Sequence, residues 1–418
     1  MRSSRRSLTV GLASLGLAAG LALGLAGSAH AAVPTCASLG AQPIVYVENG
    51  DTQEPLVKRL GQKLLASATP VRLVYKNRRT CDLALDLYSG TLMMNDAIAI
   101  KYIPAPDDPN AVGWNPSMPT PACTVDAAGV AINLGIGATY LSSCPSLPAM
   151  PATLAQQVGP VQSYGFIVPK GSAQIAITAQ EGYFAFGFPQ GTGQATPWLD
   201  QALRITRGPT ASTALTCAAA IGVPASKLKG TVPTGNTSTE VLNMVATSTS
   251  FDATIGLMGT EVYDANRDKV KLLAFKGYGQ RYAYYPDFSA TSFDKKNVRD
   301  GHYLPWAPTP YITQVDGTGK ATNASVQRII DLVVAAKPEA DVSGIDEVIA
   351  SGLVPQCAMG VERAFDGANL ALYAPPAPCA CYFDAKVAQG TTKCTACTGT
   401  DDTPCGGGKC RRGYCEVR

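Results

Sequence analysis

The sequence predicts an α/β fold of two lobes, followed by a small disulfide-rich module at the C-terminus. Three observations favour this class. Short apolar runs typical of strands alternate with runs typical of helices, and this alternation favours sheets with parallel strands. Residues 32–373 are too many for one hydrophobic core, so two lobes are expected. Beyond residue 378 apolar residues become scarce and cysteines become frequent.

The alternation is clearest in four stretches of the chain. It predicts strand and helix at residues 43–47 and 54–66, a strand at 71–75, strand and helix at 164–168 and 179–186, and again at 202–206 and 214–221. From this order we predict a first lobe of residues 40–162 and 280–373, and a second lobe of residues 165–275. Hinge bending is expected at crossings near residues 164–168 and 272–275.

Residues 1–31 have the features of an export signal. Arg2, Arg5 and Arg6 form a basic start, an apolar stretch rich in Leu, Ala and Gly follows, and Ala29 and Ala31 form a small-x-small cleavage site. No later segment is apolar enough to span a bilayer. The mature chain is therefore predicted to be exported, into the periplasm or out of the cell, with no transmembrane segment.

The charge of the mature chain argues against nucleic acid and membrane surfaces as partners. The full sequence has 34 Lys and Arg residues and 31 Asp and Glu residues. Loss of the three arginines of the signal makes the two numbers equal. Binding to nucleic acid or to an anionic membrane depends on accumulated positive charge, which a neutral chain lacks. A charged ligand must therefore be recognised by local groups.

All 13 cysteines follow the predicted signal, and exported proteins reach an oxidising compartment, so disulfides are expected. The large region contains Cys36, Cys81, Cys123, Cys144, Cys217 and Cys357. The tail contains Cys379, Cys381, Cys394, Cys397, Cys405, Cys410 and Cys415. Because the total and the tail number are both odd, the simplest arrangement has one bridge between tail and body, and one thiol that is free or intermolecular.

Residues 374–378, Ala-Pro-Pro-Ala-Pro, predict an extended linker, because proline disfavours helices and sheet ladders. The cysteine-rich tail of residues 379–418 is too small to bury a core of its own. We expect disulfides rather than packing to hold it. Cys394 and Cys397 also have the spacing of zinc ligands, an alternative that an oxidising compartment disfavours.

Catalytic motifs are scarce in this sequence. His302 is the single histidine after the predicted signal, which removes most histidine-dependent metal sites. A hydrolase that uses His302 with Asp300 or Asp287 and a serine stays open as a minor alternative. We expect residues 284–303 to brace the return of the chain rather than to reach the cleft. No enzyme activity, metal or cofactor is predicted.

Three loops combine glycine with small polar residues just before a predicted helix, at residues 48–52, 207–213 and 234–239. Backbone N–H groups at a helix start are unpaired and carry the positive end of the helix dipole, so these loops can hold an anion in a neutral chain. Ordinary helix capping is the simpler explanation for any one loop by itself. Arg207 strengthens the second loop, because a guanidinium can bind an oxyanion through two parallel hydrogen bonds.

A family resemblance rests on these loops and on residues 163–169, 180–188 and 255–258. In order and spacing they resemble the phosphate-binding branch of the type II periplasmic substrate-binding proteins, over most of residues 40–310. The resemblance implies two α/β lobes, a two-strand hinge, a ligand held between the lobes by helix N-termini, and no cofactor. It places the arginine of that branch at Arg207, its hydroxyl loop at Ser212 and Thr213, and the first-loop hydroxyl at Thr52. Pro209 stands where phosphate-specific members have an aspartate.

We therefore predict an exported solute-binding protein that captures a small oxyanionic, phosphate-like solute by helix N-termini and hydroxyl side chains. The candidate ligand-binding residues are Thr52, Arg207, Thr210, Ser212, Thr213, Asn236, Thr237 and Ser238. A membrane permease or a cell-surface component is left open as a further partner. The alternative is a secreted surface or matrix interaction protein that keeps the binding-protein scaffold and acts through its cysteine-rich tail.

Overall fold

The computed structural model describes residues 33–192, 195–334 and 337–416, so the predicted signal at residues 1–31 lies outside the described residues. The strands are β1 (Ile44–Asn49), β2 (Arg72–Asn77), β3 (Ile100–Tyr102), β4 (Ala122–Cys123), β5 (Leu134–Ile136), β6 (Leu154–Pro169), β7 (Ala176–Thr178), β8 (Arg204–Ile205), β9 (Ile255–Gly259), β10 (Val270–Leu272), β11 (Ala274–Lys276), β12 (Trp306–Gln314), β13 (Val361–Glu362), β14 (Ala371–Leu372), β15 (Lys409–Arg411) and β16 (Tyr414–Glu416). The helices are α1 (Glu54–Leu65), α2 (Thr80–Ser89), α3 (Ala179–Gly187), α4 (Ser212–Ile221), α5 (Ser238–Ala246), α6 (Thr260–Asp264), α7 (Lys296–Arg299), α8 (Ala324–Val333), α9 (Gly344–Ala350) and α10 (Ala380–Lys386). None of the helices in these three ranges is both long and apolar enough to cross a membrane.

One half of the molecule, which we call lobe 1, is a mixed sheet centred on β1. β1 pairs in parallel with β2 and β5, β12 runs antiparallel to β5 and to the first part of β6, and β3 and β4 form the far edge. Apolar side chains of α1, α8 and α9 pack on one face of this sheet. Those of α2 pack with a second cluster of strand residues. Each helix therefore buries one apolar face, as the sequence periodicity of an α/β fold requires.

The other half, lobe 2, is built on the second part of β6. β9 and β10 pair antiparallel with that part of β6, β8 pairs in parallel with β9, and β7 and β11 form a separate parallel pair. β12 pairs with β6 as far as Ser163, and β9 pairs with it from Tyr164 onward. β6 is thus the strand that the two lobes share, and the fold is α/β with two lobes.

The return of the chain to lobe 1 lies later than expected. Leu272 pairs with Ile167 of β6, and Phe275 pairs with β7, so both belong to lobe 2. Pairing with the first part of β6 resumes at Trp306, which lies opposite Ser163. The crossing expected at residues 272–275 was wrong, because the apolar run there divides into two short strands that both pair within lobe 2.

Residues 284–303 lie on lobe 2 and are held there by buried charges. Lys295 donates to Asp287 at 3.0 Å and to Asp264 at 2.6 Å, and Arg267 donates to Asp287 at 2.9 Å. Burial raises the pKa of Asp287, although Lys295 beside it acts in the opposite direction. Asn297 adds a bond from its amide to the Asp287 carbonyl at 2.7 Å. Such a network is fully partnered, which is the condition for buried charge to be tolerated.

Six disulfides are present in the described residues. They are Cys36–Cys123, Cys81–Cys144, Cys357–Cys379, Cys381–Cys394, Cys397–Cys410 and Cys405–Cys415. Cys357–Cys379 joins the large region to the tail, and Cys217 is the free cysteine. The expected single bridge between tail and body, with one thiol left over, is confirmed. Cys394 and Cys397 are both oxidised in disulfides, which removes the thiolates that a zinc site would need.

The tail is held by packing as well as by disulfides. Tyr382 and Phe383 of α10 are buried and belong to the same core cluster as Phe166 of β6 and Phe275 of β11. The expectation that disulfides alone hold residues 379–418 was therefore wrong for α10. Its aromatic residues bury their apolar surface against a core that the body supplies, which a forty-residue tail could not build alone.

The free thiol gives a direct test of the disulfide pairing. Cys217 is fully buried in α4, and burial raises the pKa of its thiol. We expect the folded, non-reduced protein to resist alkylation by iodoacetamide, and the denatured, non-reduced protein to gain one label on Cys217. Peptide mass spectrometry reads both states. Labelling of any other cysteine after denaturation would show that the pairing differs from this one.

Candidate functional site

The site lies between the lobes, where the first loop of lobe 1 meets the start of α4 in lobe 2. After β1 the chain makes a 3-10 turn at Asp51–Gln53 before α1 begins. Thr52 in this turn is 1% exposed. The turn between strand and helix therefore places a polar residue, Thr52, in the interior.

α4 presents an N-terminus that no side chain caps. Ala211 occupies the N-cap position, where its methyl group cannot accept a hydrogen bond, so backbone N–H groups of the first turn stay available. Thr213 in that turn is 1% exposed. In the described part of the chain, neither the Thr213 hydroxyl nor the Thr52 hydroxyl has a well-formed hydrogen-bond partner, although both oxygens are buried. A buried polar atom without a partner costs free energy unless something supplies the bond.

Tyr164 connects these groups at the point where β6 passes from one lobe to the other. Its side chain is fully buried, and its hydroxyl donates to the Ala138 carbonyl in the loop after β5. Burial raises the pKa of Tyr164 well above its ordinary value, and the hydroxyls of Ser212 and Thr52, which lie beside it, offset only part of this rise. The Tyr164 hydroxyl therefore stays protonated and marks the place where hydroxyls from the two lobes meet.

Arg207 lies in the loop after β8 and is held by residues that precede α5. Its Nε donates to Asn236 Oδ1 at 3.1 Å, and its Nη1 donates to Ser238 Oγ at 2.7 Å. Asn236 also accepts from the Gly208 N–H at 2.8 Å, and it adopts a left-handed backbone (φ 50°), which asparagine tolerates better than most residues. Asn236 and Ser238 thus orient the guanidinium, which is itself 3% exposed.

Asp51 joins the two lobes at this arginine. Its Oδ2 atom lies 3.1 Å from Nη2 of Arg207 and accepts the Ser238 N–H at 2.9 Å. The carboxylate therefore binds both the guanidinium of Arg207 and the N-terminus of α5, two groups that would otherwise be able to bind an external anion. Asp51 belongs to one of the three candidate loops, but its own role was not predicted. Its neighbours in the sequence do not indicate a partner that lies more than 150 positions later.

Two other predicted residues serve the local structure. Thr237 forms a capping box at the start of α5, in which its hydroxyl accepts from the Glu240 N–H at 3.2 Å and Glu240 accepts from the Thr237 N–H at 3.0 Å. Thr210 lies half-buried in the loop before α4. Of the predicted set, Thr52 and Ser212 thus both lie beside Tyr164, and Asn236 and Ser238 both bind Arg207.

The hairpin of β13 and β14 covers another side of the site. Asp366 near its tip accepts from the hydroxyls of Thr139 at 3.0 Å and Ser143 at 2.6 Å. Thr139 in turn lies 2.8 Å from the hydroxyl of Thr216 in α4, which joins lobe 1 to lobe 2. Burial raises the pKa of Asp366, and the nearby Arg363 acts against that rise. This hairpin was not predicted, because strands of only two residues leave no periodic pattern in the sequence.

A second chain of polar groups runs through the shared strand. Gln53 donates to Gln162 of β6 at 3.1 Å, and Gln162 donates to the carboxyl group of Glu261 in α6. Glu261 is 6% exposed, and burial raises its pKa to about 8. At neutral pH this carboxyl group is therefore mostly protonated. It connects the first loop, the hinge strand and lobe 2 without carrying a full charge.

A groove of about 690 Å³ opens next to the Asp51 contact. Its walls come from α1 of lobe 1, from α5 and α6 of lobe 2, and from α10 of the tail. Asp51, Ser238 and Glu261 line it, and Lys58 and Lys386 are among its charged residues. The groove thus adjoins Asp51 and Ser238, two of the partners of Arg207.

The minor hydrolase alternative required His302 to lie against Asp300 or Asp287, and these two acids bind lysines instead. The ring of His302 is exposed and stacks on Tyr284, with ring centroids 5.0 Å apart. Asp287 is bound by Lys295, and Asp300 pairs with Lys296 at 3.1 Å. Each acid proposed as a partner of His302 therefore binds a lysine instead, and His302 lies on the surface.

Neither a protein-family model nor a curated protein matches the sequence. Among solved structures, the chain is similar to a putative phosphate ABC transporter substrate-binding protein from Clostridium perfringens, at 12% identity over 75% of this chain and 99% of that chain, with a TM-score of 0.46. It is similar to an ABC-type phosphate transport receptor from Vibrio cholerae at 10% identity over 75% and 99% of the two chains, with a TM-score of 0.46. It is also similar to the reduced OxyR regulatory domain from Pseudomonas aeruginosa at 11% identity over 66% and 91%, with a TM-score of 0.36. Scores this low carry no argument about ligand or activity.

Proposed function

We propose that this chain is an exported solute-binding protein that closes its two lobes around a small oxyanion. The observation that carries the proposal is the pair of buried hydroxyls, Thr52 from lobe 1 and Thr213 from lobe 2, which have no well-formed partner in the described chain. Thr213 lies in the first turn of α4, whose N-terminus is uncapped, and Thr52 lies beside Tyr164 together with Ser212, the first residue of α4. Hydroxyl groups and backbone N–H groups are the donors that oxyanions accept from in neutral sites.

The charge around the site determines which charge of solute is favoured. Arg207 is paired with Asp51, so its positive charge is largely compensated within the protein. The nearby Tyr164 is neutral, and its hydroxyl hydrogen is already donated to the Ala138 carbonyl. A small, singly charged oxyanion such as dihydrogen phosphate fits this balance better than a multiply charged one. The solute would then be held mainly by neutral donors, with the arginine group at the margin.

Binding rather than catalysis is supported by the state of the reactive side chains. His302 is exposed and stacked on Tyr284, and Cys217 is a buried thiol within α4. Export is supported by the six disulfides, because such bonds persist in oxidising compartments. A membrane permease or surface component as partner stays a prediction.

The hydroxyl pair can be tested without harming the fold. We expect Thr52→Val and Thr213→Val each to weaken phosphate binding by about ten- to a hundredfold, because each removes one hydrogen bond to a charged ligand. Stability should stay equal or rise, because valine replaces a buried hydroxyl that has no well-formed protein partner. Isothermal titration with phosphate and sulfate measures binding, and urea denaturation measures stability.

Thr309→Val provides the matched control. Thr309 is equally buried, but its hydroxyl donates to the Pro160 carbonyl at 2.9 Å, within lobe 1. This variant should lose about 1–2 kcal/mol of stability and bind phosphate as the wild type does. If the wild type gives no heat with any oxyanion, or if all three variants bind alike, the proposed site is wrong.

A further inference from the structure

The C-terminal module, which we define as residues 379–416, occupies a specific place in the fold. The Cys357–Cys379 disulfide ties its first residue to the end of the large region. α10 then lies across the junction of the lobes, where Phe383 is 1% exposed. The solute-binding function proposed above does not account for this module, and binding between two lobes needs no such addition.

α10 contacts lobe 1 through α9. The Tyr382 hydroxyl donates to the carboxylate of Asp346 in α9. α9 belongs to lobe 1, because its Val348 is buried in the same cluster as Leu60 of α1. This hydrogen bond joins a carboxylate acceptor to a buried tyrosine, which makes it stronger than a neutral surface contact.

α10 contacts lobe 2 through α7. The Asp384 carboxylate accepts from the Arg299 guanidinium, which also lies 4.9 Å from the centre of the Phe383 ring. Arg299 is 3% exposed. α7 belongs to lobe 2, because Lys295, the residue just before it, binds Asp264 of α6 at 2.6 Å. Neighbouring residues of one short helix therefore bind the two lobes separately.

The module is rigid enough to transmit force between these contacts. The carboxylate of Glu416, which is 2% exposed, accepts the N–H groups of Cys381 at 3.0 Å and Tyr382 at 2.9 Å. It thereby fixes the start of α10 to the β15–β16 hairpin. The Cys381–Cys394 and Cys405–Cys415 disulfides lie within the same module. A seven-residue helix held in this way cannot easily bend or slide.

We propose that α10 is a brace between the lobes, which holds them closed and sets how fast solute enters and leaves. Bending at the shared strand that moves α9 away from α7 must break either the Tyr382–Asp346 bond or the Asp384–Arg299 pair. Phe383, Lys386 and Val387 also form one wall of the groove that leads toward Asp51. The part of this inference that concerns solute exchange rests on the proposed function, whereas the closed state can be measured without any solute.

Variants that leave every disulfide intact can test the brace. Tyr382→Phe removes the hydrogen bond to Asp346 of lobe 1, and Asp384→Ala removes the ion pair with Arg299 of lobe 2. We expect the double variant to show hydrogen exchange that is roughly tenfold faster in the loops at residues 48–53 and 234–239, and a larger radius of gyration in solution scattering. Phosphate should dissociate roughly tenfold faster in stopped-flow measurements, because the closed state is less populated.

Lys409→Ala is the matched control, because Lys409 is 67% exposed and pairs with Asp402 inside the module. It should behave as the wild type does. Exchange in β1 reports on general destabilisation and should stay slow in all variants. If loop exchange and radius of the double variant equal those of the wild type, the brace is wrong. If both increase while no variant binds phosphate, the brace stands and the proposed solute is wrong.

Discussion

Replacing Arg207 with alanine is expected to weaken oxyanion binding by about thirtyfold or more. The side chain is 3% exposed and organises three partners, Asn236, Ser238 and Asp51. Its removal leaves the Asp51 carboxylate in the cleft without its cation, where it repels an incoming anion. Because Arg207 is buried but Asp51 is 24% exposed, the loss should lie near the lower end of the about 2–5 kcal/mol that breaking a buried charge pair costs. Isothermal titration with phosphate measures the loss.

Two further variants separate the possible reasons for this loss. Arg207→Lys keeps the charge but not the planar set of donors, so it should restore only part of the affinity. Arg328→Ala removes an arginine that pairs with Glu339 at 2.7 Å in lobe 1, and it should bind phosphate normally. Full binding by Arg207→Ala would mean that the arginine group closes the cleft without contributing to recognition.

Much of the fold follows from short-range patterns in the sequence. The apolar run at residues 43–47 became β1, and the amphipathic run at 54–66 became α1, which ends within one residue of the expected place. Local periodicity and turn residues determine such elements directly. The return crossing could not be found in this way, because strand pairing in a shared sheet depends on contacts between distant residues. The exact residue limits of the two lobes stay a prediction.

The part of the candidate site in which hydroxyl residues precede a helix was predictable. The part in which a side chain binds a residue of the other lobe was not. Ser212, Thr213 and Arg207 stand in a loop whose composition is itself a signal of a helix start. Asp51 and Asp366, by contrast, bind partners that are far away in the sequence, and nothing in their neighbours indicates those partners. The packing of α10 was missed for the same reason, since its aromatic residues needed a core that the body provides.

Glu261 is expected to make the protein less stable as the pH increases, which is opposite to the contribution of most carboxyl groups. Burial raises the pKa of Glu261 to about 8, with Asp51 adding to that rise, whereas a carboxyl group in the unfolded chain ionises near 4.5. Between these values the folded protein binds the proton more strongly, so its free energy of unfolding falls as the pH increases. The stabilisation is complete below about pH 4.5 and is lost by about pH 8. The difference is on the order of 4 kcal/mol.

Urea denaturation at pH 5 and pH 8.5 measures this contribution, with Glu261→Gln as the decisive variant. Glutamine keeps the shape and can still accept the bond from Gln162, but it cannot ionise. It should therefore remove on the order of 4 kcal/mol from the difference between the two pH values. Asp268→Asn, an exposed change in the same lobe, should leave that difference unaltered. Glu48, whose pKa burial also raises to about 8, is a second source of the same trend, so adding Glu48→Gln to Glu261→Gln should reduce the remaining slope further. An equal slope in wild type and Glu261→Gln would place the ionised form of Glu261 in the folded state.

Because Glu261 lies near Asp51, its ionisation above pH 8 should also loosen the closed cleft and weaken phosphate binding. Glu261→Gln should suppress that weakening.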